Sequence, residues 1–197
     1  MRTFCALFVI TLSLCSGIHG INVEGEIIRN EIFSAKDWNI STEDVTISSI
    51  NGEEASFYSD KSITVLEIFS RDFHYLPKGL EKFFPNIKLL SIINTELESV
   101  KSDDLKPFVH LTMVNLNGNK ITTLDSNVFE FNPEITILKI VFNDKLKHIG
   151  ADILTPLKKL QDADFSRNGC VDNFVSNNGL PKPNFSPLVN DFKANCA

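Results

Sequence analysis

Along the middle of the chain, apolar residues recur in a spacing that fits neither an isolated helix nor an isolated strand. In "LTMVNLNGNKITTL" they fall at Leu111, Val114, Leu116, Ile121 and Leu124, in steps of three, two, five and three. A helix stripe would recur at three and four, and a half-buried strand at two. The same spacing starts 24 residues earlier at Ile87 and 24 before that at Ile63. It starts again at Ile135, 24 residues on, and at Leu160, 25 residues further. The segments are "ITVLEIFSRDFHYL", "IKLLSIINTELESV", "LTMVNLNGNKITTL", "ITILKIVFNDKLKHI" (with one extra residue) and "LQDADFSRNGC". First, fourth and sixth positions are apolar in each, Ala163 being the weakest fourth.

A period of this length predicts coils that stack, because one coil alone cannot bury its faces. Fourth and sixth positions lie on a short strand and point inward. The chain turns at the ninth. Positions eleven and fourteen then bury on the far side: Phe73/Leu76, Leu97/Val100 and Ile121/Leu124, with Leu146/Ile149 displaced by the extra residue. The return segments bring Phe84, Phe108, Phe129 and Phe131, which are expected to fill the wider side.

The pattern resembles the leucine-rich repeat, L-x-x-L-x-L-x-x-N-x-L, over residues 63–170. The phrases "LPKGLEKFFPN", "DLKPFVHL", "FEFNPEI" and "LTPLKKL" are similar to small secreted insect members of that family. The resemblance implies an α/β solenoid: a short horseshoe with a parallel concave β-sheet of about five strands. It also implies that Asn119, Asn143 and Asn168, at the ninth positions, are repeat-turn residues bonded to neighbouring backbone. Arg71 and Thr95 stand at that place in the first two copies; Thr95 is expected to do part of the work and Arg71 none.

Both ends of a solenoid need covers. Residues 21–62 read as a β-rich N-terminal cap, with "VTISSI" alternating like a strand, "NGE" as a turn, and Trp38 and Phe57 as anchors. Residues 63–169 are the repeats. Residues 170–197 read as a C-terminal cap, with the turn "LPKPNFSP" and a helical piece, "LVNDFKANC".

Residues 1–20 have the layout of a secretory signal peptide: Arg2, an apolar run from Phe4 to Cys15, then small residues, with cleavage after Gly17 or Gly20. The run is short for a bilayer span. Its removal takes Arg2 from a chain with 19 basic and 25 acidic residues and a net charge of −6, leaving −7. That balance argues against nucleic acid and anionic membrane surfaces as partners. Removal also takes Cys5 and Cys15. Cys170 and Cys196 remain and are expected to form one disulfide, closing a loop of roughly 25 residues around the C-terminal cap. Sequons stand at Asn39 ("NIS") and Asn184 ("NFS"), the second weakened by Pro187. Sixteen Phe against two Tyr and one Trp favour aromatic rings that need no polar partner, as in a buried core.

Candidate chemistry is sparse. His74, His110 and His148 fall at different repeat positions and lack metal-ligand spacing. No nucleophile elbow, zinc-protease motif or phosphate-cradling loop is present. "KSDD" (Lys101–Asp104) reads as a helix start and "NLNGNK" as a repeat turn. Asp162 and Asp164 share a strand face but have no companion base or cleft. No catalytic residue, cofactor or metal is assigned.

The outward positions of the strands carry the functional expectation. Third positions are Val65, Leu89, Met113, Ile137 and Asp162; fifth are Glu67, Ser91, Asn115, Lys139 and Asp164; seventh are Phe69, Ile93, Asn117, Val141 and Ser166. Apolar residues gain nothing on a solvated face, so these rows read as an interaction surface. Val65, Phe69, Leu89, Ile93, Met113, Ile137 and Val141 are expected to contact an extracellular protein ligand, and Asn115 and Lys139 to set its register. The alternative is a self-associating extracellular structural protein, a homodimer through the same concave face. An immune or signalling role would follow from fold analogy alone.

Overall fold

A computed structural model describes residues 20–28, 32–51, 63–177 and 182–196. The signal-peptide reading and Phe57 lie outside them. In chain order the elements are β1 (Gly20–Ile28), β2 (Ile32–Lys36), β3 (Thr46–Asn51), β4 (Val65–Phe69), α1 (Leu80–Phe83), β5 (Leu89–Ile92), α2 (Ser102–Leu105) and β6 (Met113–Asn115). Then follow β7 (Thr123–Leu124), β8 (Ile137–Lys139), β9 (His148–Ile149), β10 (Asp162–Asp164), β11 (Phe174–Val175) and α3 (Ser186–Asn195).

The chain forms a β-solenoid of about five turns. Each turn contributes one strand to a parallel stack, β4-β5-β6-β8-β10. The register steps by one repeat: Val65 pairs with Leu89, Leu89 with Met113, Met113 with Ile137 and Ile137 with Asp162. At the start of each strand, the second-position carbonyl accepts two N–H groups from the next coil. Thr64 O takes Lys88 N (2.7 Å) and Leu89 N (3.0 Å); Lys88 O takes Thr112 N (2.7 Å) and Met113 N (3.0 Å). Thr112 O and Thr136 O do the same for the coils beyond. On the far side β7 and β9 pair in parallel, so two neighbouring coils are also tied there.

First, fourth, sixth, eleventh and fourteenth positions of the complete copies are buried, as the spacing requires. Phe84, Phe108 and Phe129 fill the return side. Phe131 does not: it is 36% exposed, with the Lys106 ammonium 4.8 Å from its ring centre. Phe129 already occupies the interior, and two residues on in this turn the chain faces out.

The α/β expectation holds only in part on this return side. Only α1 and α2, four residues each, are helical there, and the rest runs as turns. The sequence carries the cause: Pro85, Pro107, Pro133 and Pro156 punctuate the four return segments. Proline donates no N–H and disfavours helical backbone at the preceding residue, so each run stops before a second turn. In α2 the Asp104 carboxylate accepts the Lys101 N–H at 2.7 Å, the helix start expected from "KSDD". Burial raises the Asp104 pKa, against that hydrogen bond and the Lys101 charge.

The sheet is longer than the five repeat strands, because both caps join it. Among the described residues it has nine strands, ordered β11-β10-β8-β6-β5-β4-β2-β1-β3. At the N-terminal end β2 runs parallel to β4 and antiparallel to β1. Trp38 anchors this cap: its ring lies 6.2 Å from Phe33 and 6.3 Å from Phe73, and its indole N–H donates to Glu24 O at 2.6 Å. Ion pairs Lys78–Asp44 (2.5 Å) and Lys101–Glu43 (2.7 Å) tie the loop before β3 to the first coils. At the other end β11 turns back antiparallel on β10. α3 follows, with Phe192 against Phe165 at 4.9 Å, and the Cys170–Cys196 disulfide closes the cap with Cα atoms 5.2 Å apart.

The ninth-position asparagines form a ladder. Asn119 Nδ2 donates to Ile92 O (2.8 Å) in the preceding coil and to Leu116 O (2.9 Å) in its own. Its Oδ1 accepts the Thr95 N–H and, at 2.7 Å, the Thr95 hydroxyl. Asn168 repeats this with Ile140 O, Phe165 O and the Asn143 N–H. Asn143 donates to Leu116 O and Val141 O, while its Oδ1 is buried without a protein partner. Thr95 thus joins the ladder, whereas Arg71 is exposed; in the first coil the Ser70 hydroxyl bonds Trp38 O at 2.7 Å instead. Asn132, buried in a return segment, makes a second set of bonds to Leu105 O and Phe108 O that the repeat pattern did not flag.

Two outcomes follow from this architecture. Asn119→Leu removes a buried side chain that satisfies three backbone groups across two coils, and should cost about 1–3 kcal/mol in denaturant unfolding. A loss below about half a kcal/mol would show that the ladder is carried elsewhere. Cys196→Ser opens the C-terminal cap and should cost about 3 kcal/mol by the loop-closure argument. An unchanged melting temperature would contradict that.

Candidate binding face

The outward side chains of the parallel strands make a continuous face. The third-position row Val65–Leu89–Met113–Ile137 is half-buried along its length and continues onto Ile32 of β2, which pairs with Val65. It ends in Asp162. Neighbouring strands at about 4.8 Å cover the flanks of each side chain and leave the tips open. Phe69 is 47% exposed and Ile93 half-buried.

Between these lies the polar row. Ser91 is only 4% exposed, recessed between the larger Glu67 and Asn115 that flank it in register. Asn115 turns inward on its own strand, its Oδ1 accepting the Asn117 N–H at 3.3 Å. Asp164 does the same for the Ser166 N–H and hydroxyl. Asp162 accepts the Ser176 hydroxyl and the Asn177 N–H (3.1 Å) and so holds the segment after β11. Lys139 is exposed. At this end Ile137, Lys139, Asp162, Asp164, Phe174 and Ser176 line an open depression of about 340 Å³.

Val141 does not belong to the face. It is 8% exposed, and its N–H is held by Asn117 Oδ1 at 2.9 Å. The residue presented instead is Phe142, 53% exposed, with the Arg167 guanidinium 5.0 Å from its ring centre. The physical reason is a backbone repeat. The eighth residues of four successive coils, Asn94, Gly118, Phe142 and Arg167, all have positive φ, from 54° to 70°. This left-handed step turns the chain off the strand toward the ladder residue. It suits Gly or Asn, and is strained for Phe. Phe174, 61% exposed on β11, is a second aromatic the spacing could not place, because it lies past the last repeat.

Other candidates are structural. His74 Nδ1 lies 3.0 Å from a Glu98 oxygen, and Tyr75 donates to the other at 2.9 Å; both bonds hold the Glu98 pKa below its ordinary value. His110 and His148 are exposed and lie elsewhere on the coil. Among the described residues no group of three His, Cys, Asp or Glu could hold a metal ion, and no helix is long and apolar enough to cross a membrane. Both sequon asparagines are exposed; Asn184 Oδ1 also accepts the Ser186 N–H at 3.0 Å at the start of α3.

Phe142→Gly relieves left-handed strain of about 1–3 kcal/mol, set against about 0.5–1 kcal/mol of unfolded-chain entropy and a similar loss of stacking on Arg167. Stability should hold or rise by about 1 kcal/mol. A loss of that size in denaturant unfolding would make Phe142 a structural residue. No protein-family model matches the chain, and no curated protein does.

Proposed function

We propose that this chain is a secreted leucine-rich repeat protein that binds an extracellular protein partner through the outward face of its parallel sheet. The observation that carries this reading is the in-register apolar row Val65–Leu89–Met113–Ile137 on an open sheet face, flanked by Phe69 and Ile93. Solvent offers no return for such a row, and a partner that covers it does. Phe142 and Arg167 extend the surface at the C-terminal half, an aromatic and an arginine of the kind that anchor interfaces. Asn115 and Lys139 supply polar contacts between the apolar flanks.

The family reading rests on the period, the asparagine ladder and the left-handed eighth residue, which together build a repeating coil on one strand per turn. The secretion reading rests on the N-terminal apolar run, the disulfide and the sequons at Asn39 and Asn184. Cleavage after Gly17 would leave β1, which begins at Gly20, whole.

Ile93→Glu combined with Met113→Glu places two charges on the face without touching buried positions. The double variant should fold like the parent, with melting temperature within a few degrees, and lose capture of the partner from the fluid that contains the protein. Size-exclusion chromatography distinguishes the self-associating alternative: there the parent elutes as a dimer and the double variant as a monomer. A folded double variant that captures and elutes as the parent does would exclude this face.

A further inference from the structure

Two Asn–Gly dipeptides lie within the described coils, Asn117–Gly118 and Asn168–Gly169. The fold imposes the second and favours the first. A Cβ on residue 169 would sit 2.4 Å from the backbone oxygen of Asp144, so only glycine fits there, while Gly118 takes the left-handed step at φ 70° that suits glycine. Asn168 is a ladder residue, and Asn117 Oδ1 bonds the next coil. Asn–Gly is also the dipeptide most open to deamidation, since glycine leaves its backbone nitrogen unshielded. That nitrogen attacks the asparagine side-chain carbonyl carbon, ammonia leaves, and a cyclic imide forms. Water then opens the imide to aspartate or isoaspartate.

The reaction needs a free glycine N–H and a side-chain amide free to rotate. At both sites one residue of the fourth coil holds both groups. Val141 accepts the Gly118 N–H at 2.8 Å and donates its own N–H to Asn117 Oδ1 at 2.9 Å. Asn143 accepts the Gly169 N–H at 3.0 Å and donates to Asn168 Oδ1 at 2.9 Å. The sites differ in what keeps these bonds shut. Asn117 lies in a middle coil with a coil on each side. Asn168 lies in the last, where only the C-terminal cap covers the outer side, and its neighbour but one is Cys170 of the disulfide. Terminal coils open at lower free energy than internal ones.

We propose that Asn168–Gly169 is a latent deamidation site kept closed by the Cys170–Cys196 disulfide. Reduction lets the last coil open and the imide form. The change is one-way in its effect. Asn168 Nδ2 donates to Ile140 O and Phe165 O at 2.6 and 2.7 Å, and aspartate would set a carboxylate oxygen against both carbonyls. Re-forming the disulfide then no longer restores the original closure.

The test is peptide mapping by mass spectrometry of the intact protein, held at mildly alkaline pH with and without a thiol reductant. The Cys170→Ser/Cys196→Ser variant serves as a reductant-free second arm. Asn168 should stay an amide in the disulfide-bonded protein. Its conversion should rise on the order of tenfold or more in the reduced protein and in the double variant, with Asn117 unchanged in all samples. Asn168→Asp, made directly with the disulfide intact, should melt below the parent. Equal conversion of Asn168 with and without the disulfide would overturn the proposal. So would acceleration at Asn117 to the same degree, which would mean that the disulfide guards the whole fold and not this turn. An Asn168→Asp variant that melts with the parent would overturn the one-way consequence.

Discussion

Every coil of this chain ends in backbone N–H and C=O groups that only another coil can pair. The second-position carbonyls, each taking two N–H groups from the next coil, and the ladder asparagines, each bonding back to the preceding coil and within its own, are how that pairing is done. An unpaired buried backbone group costs about 1–3 kcal/mol. A single slipped residue would orphan several at once and turn a strand's apolar set outward. The 24-residue period is therefore a constraint on hydrogen-bond register before it is a pattern of hydrophobicity. The fourth copy shows the tolerance of the rule. Its extra residue falls after the ladder position, where the chain is turning, and Leu146 and Ile149 are still buried.

A stack that pairs coil with coil leaves two unpaired ends, and the chain closes them by different means. At the N-terminal end β2 continues the parallel stack and β1 reverses against it, with Trp38, Phe33, Phe73 and Phe84 filling the space beneath. No cysteine is needed there because aromatic burial supplies the closure. At the C-terminal end β11 is only two residues long and α3 buries only Leu188 and Phe192. That contact is small, and the covalent link between Cys170 and Cys196 compensates for it. The link also holds Cys196 where its carbonyl accepts the Ile149 N–H at 3.0 Å, so the cap reaches across to the far side of the coil.

The same register that completes the core decides what the outer face can offer. Because third positions stack on third positions, an apolar choice in four successive copies becomes one continuous row. The polar row beside it is partly consumed by the turns: Asn115 and Asp164 bond the backbone two residues on. The left-handed eighth residue adds a ridge. At three coils it carries Asn94, Gly118 or Arg167, and at one it carries an exposed phenylalanine.

Local information determined much of this protein. The spacing of apolar residues named the coil starts, the inward strand positions and the far-side pairs, and all of these are buried. The isolation of Cys170 and Cys196 named the disulfide. The asparagines at ninth positions named the ladder through their resemblance to the leucine-rich repeat, which implies bonds to neighbouring backbone at that place. Tertiary structure decided what spacing does not encode. Val141 and Phe142 are adjacent apolar residues, and which one is exposed depends on a left-handed backbone step whose only glycine lies one coil earlier, at Gly118. Phe131 reads like Phe129 in sequence, yet the interior has room for one ring. Asn132 bonds carbonyls 24 and 27 residues away, partners that no local pattern contains. The caps joined the sheet because open edges and exposed coil ends cost free energy at any sequence, and only the assembled stack shows where those edges lie.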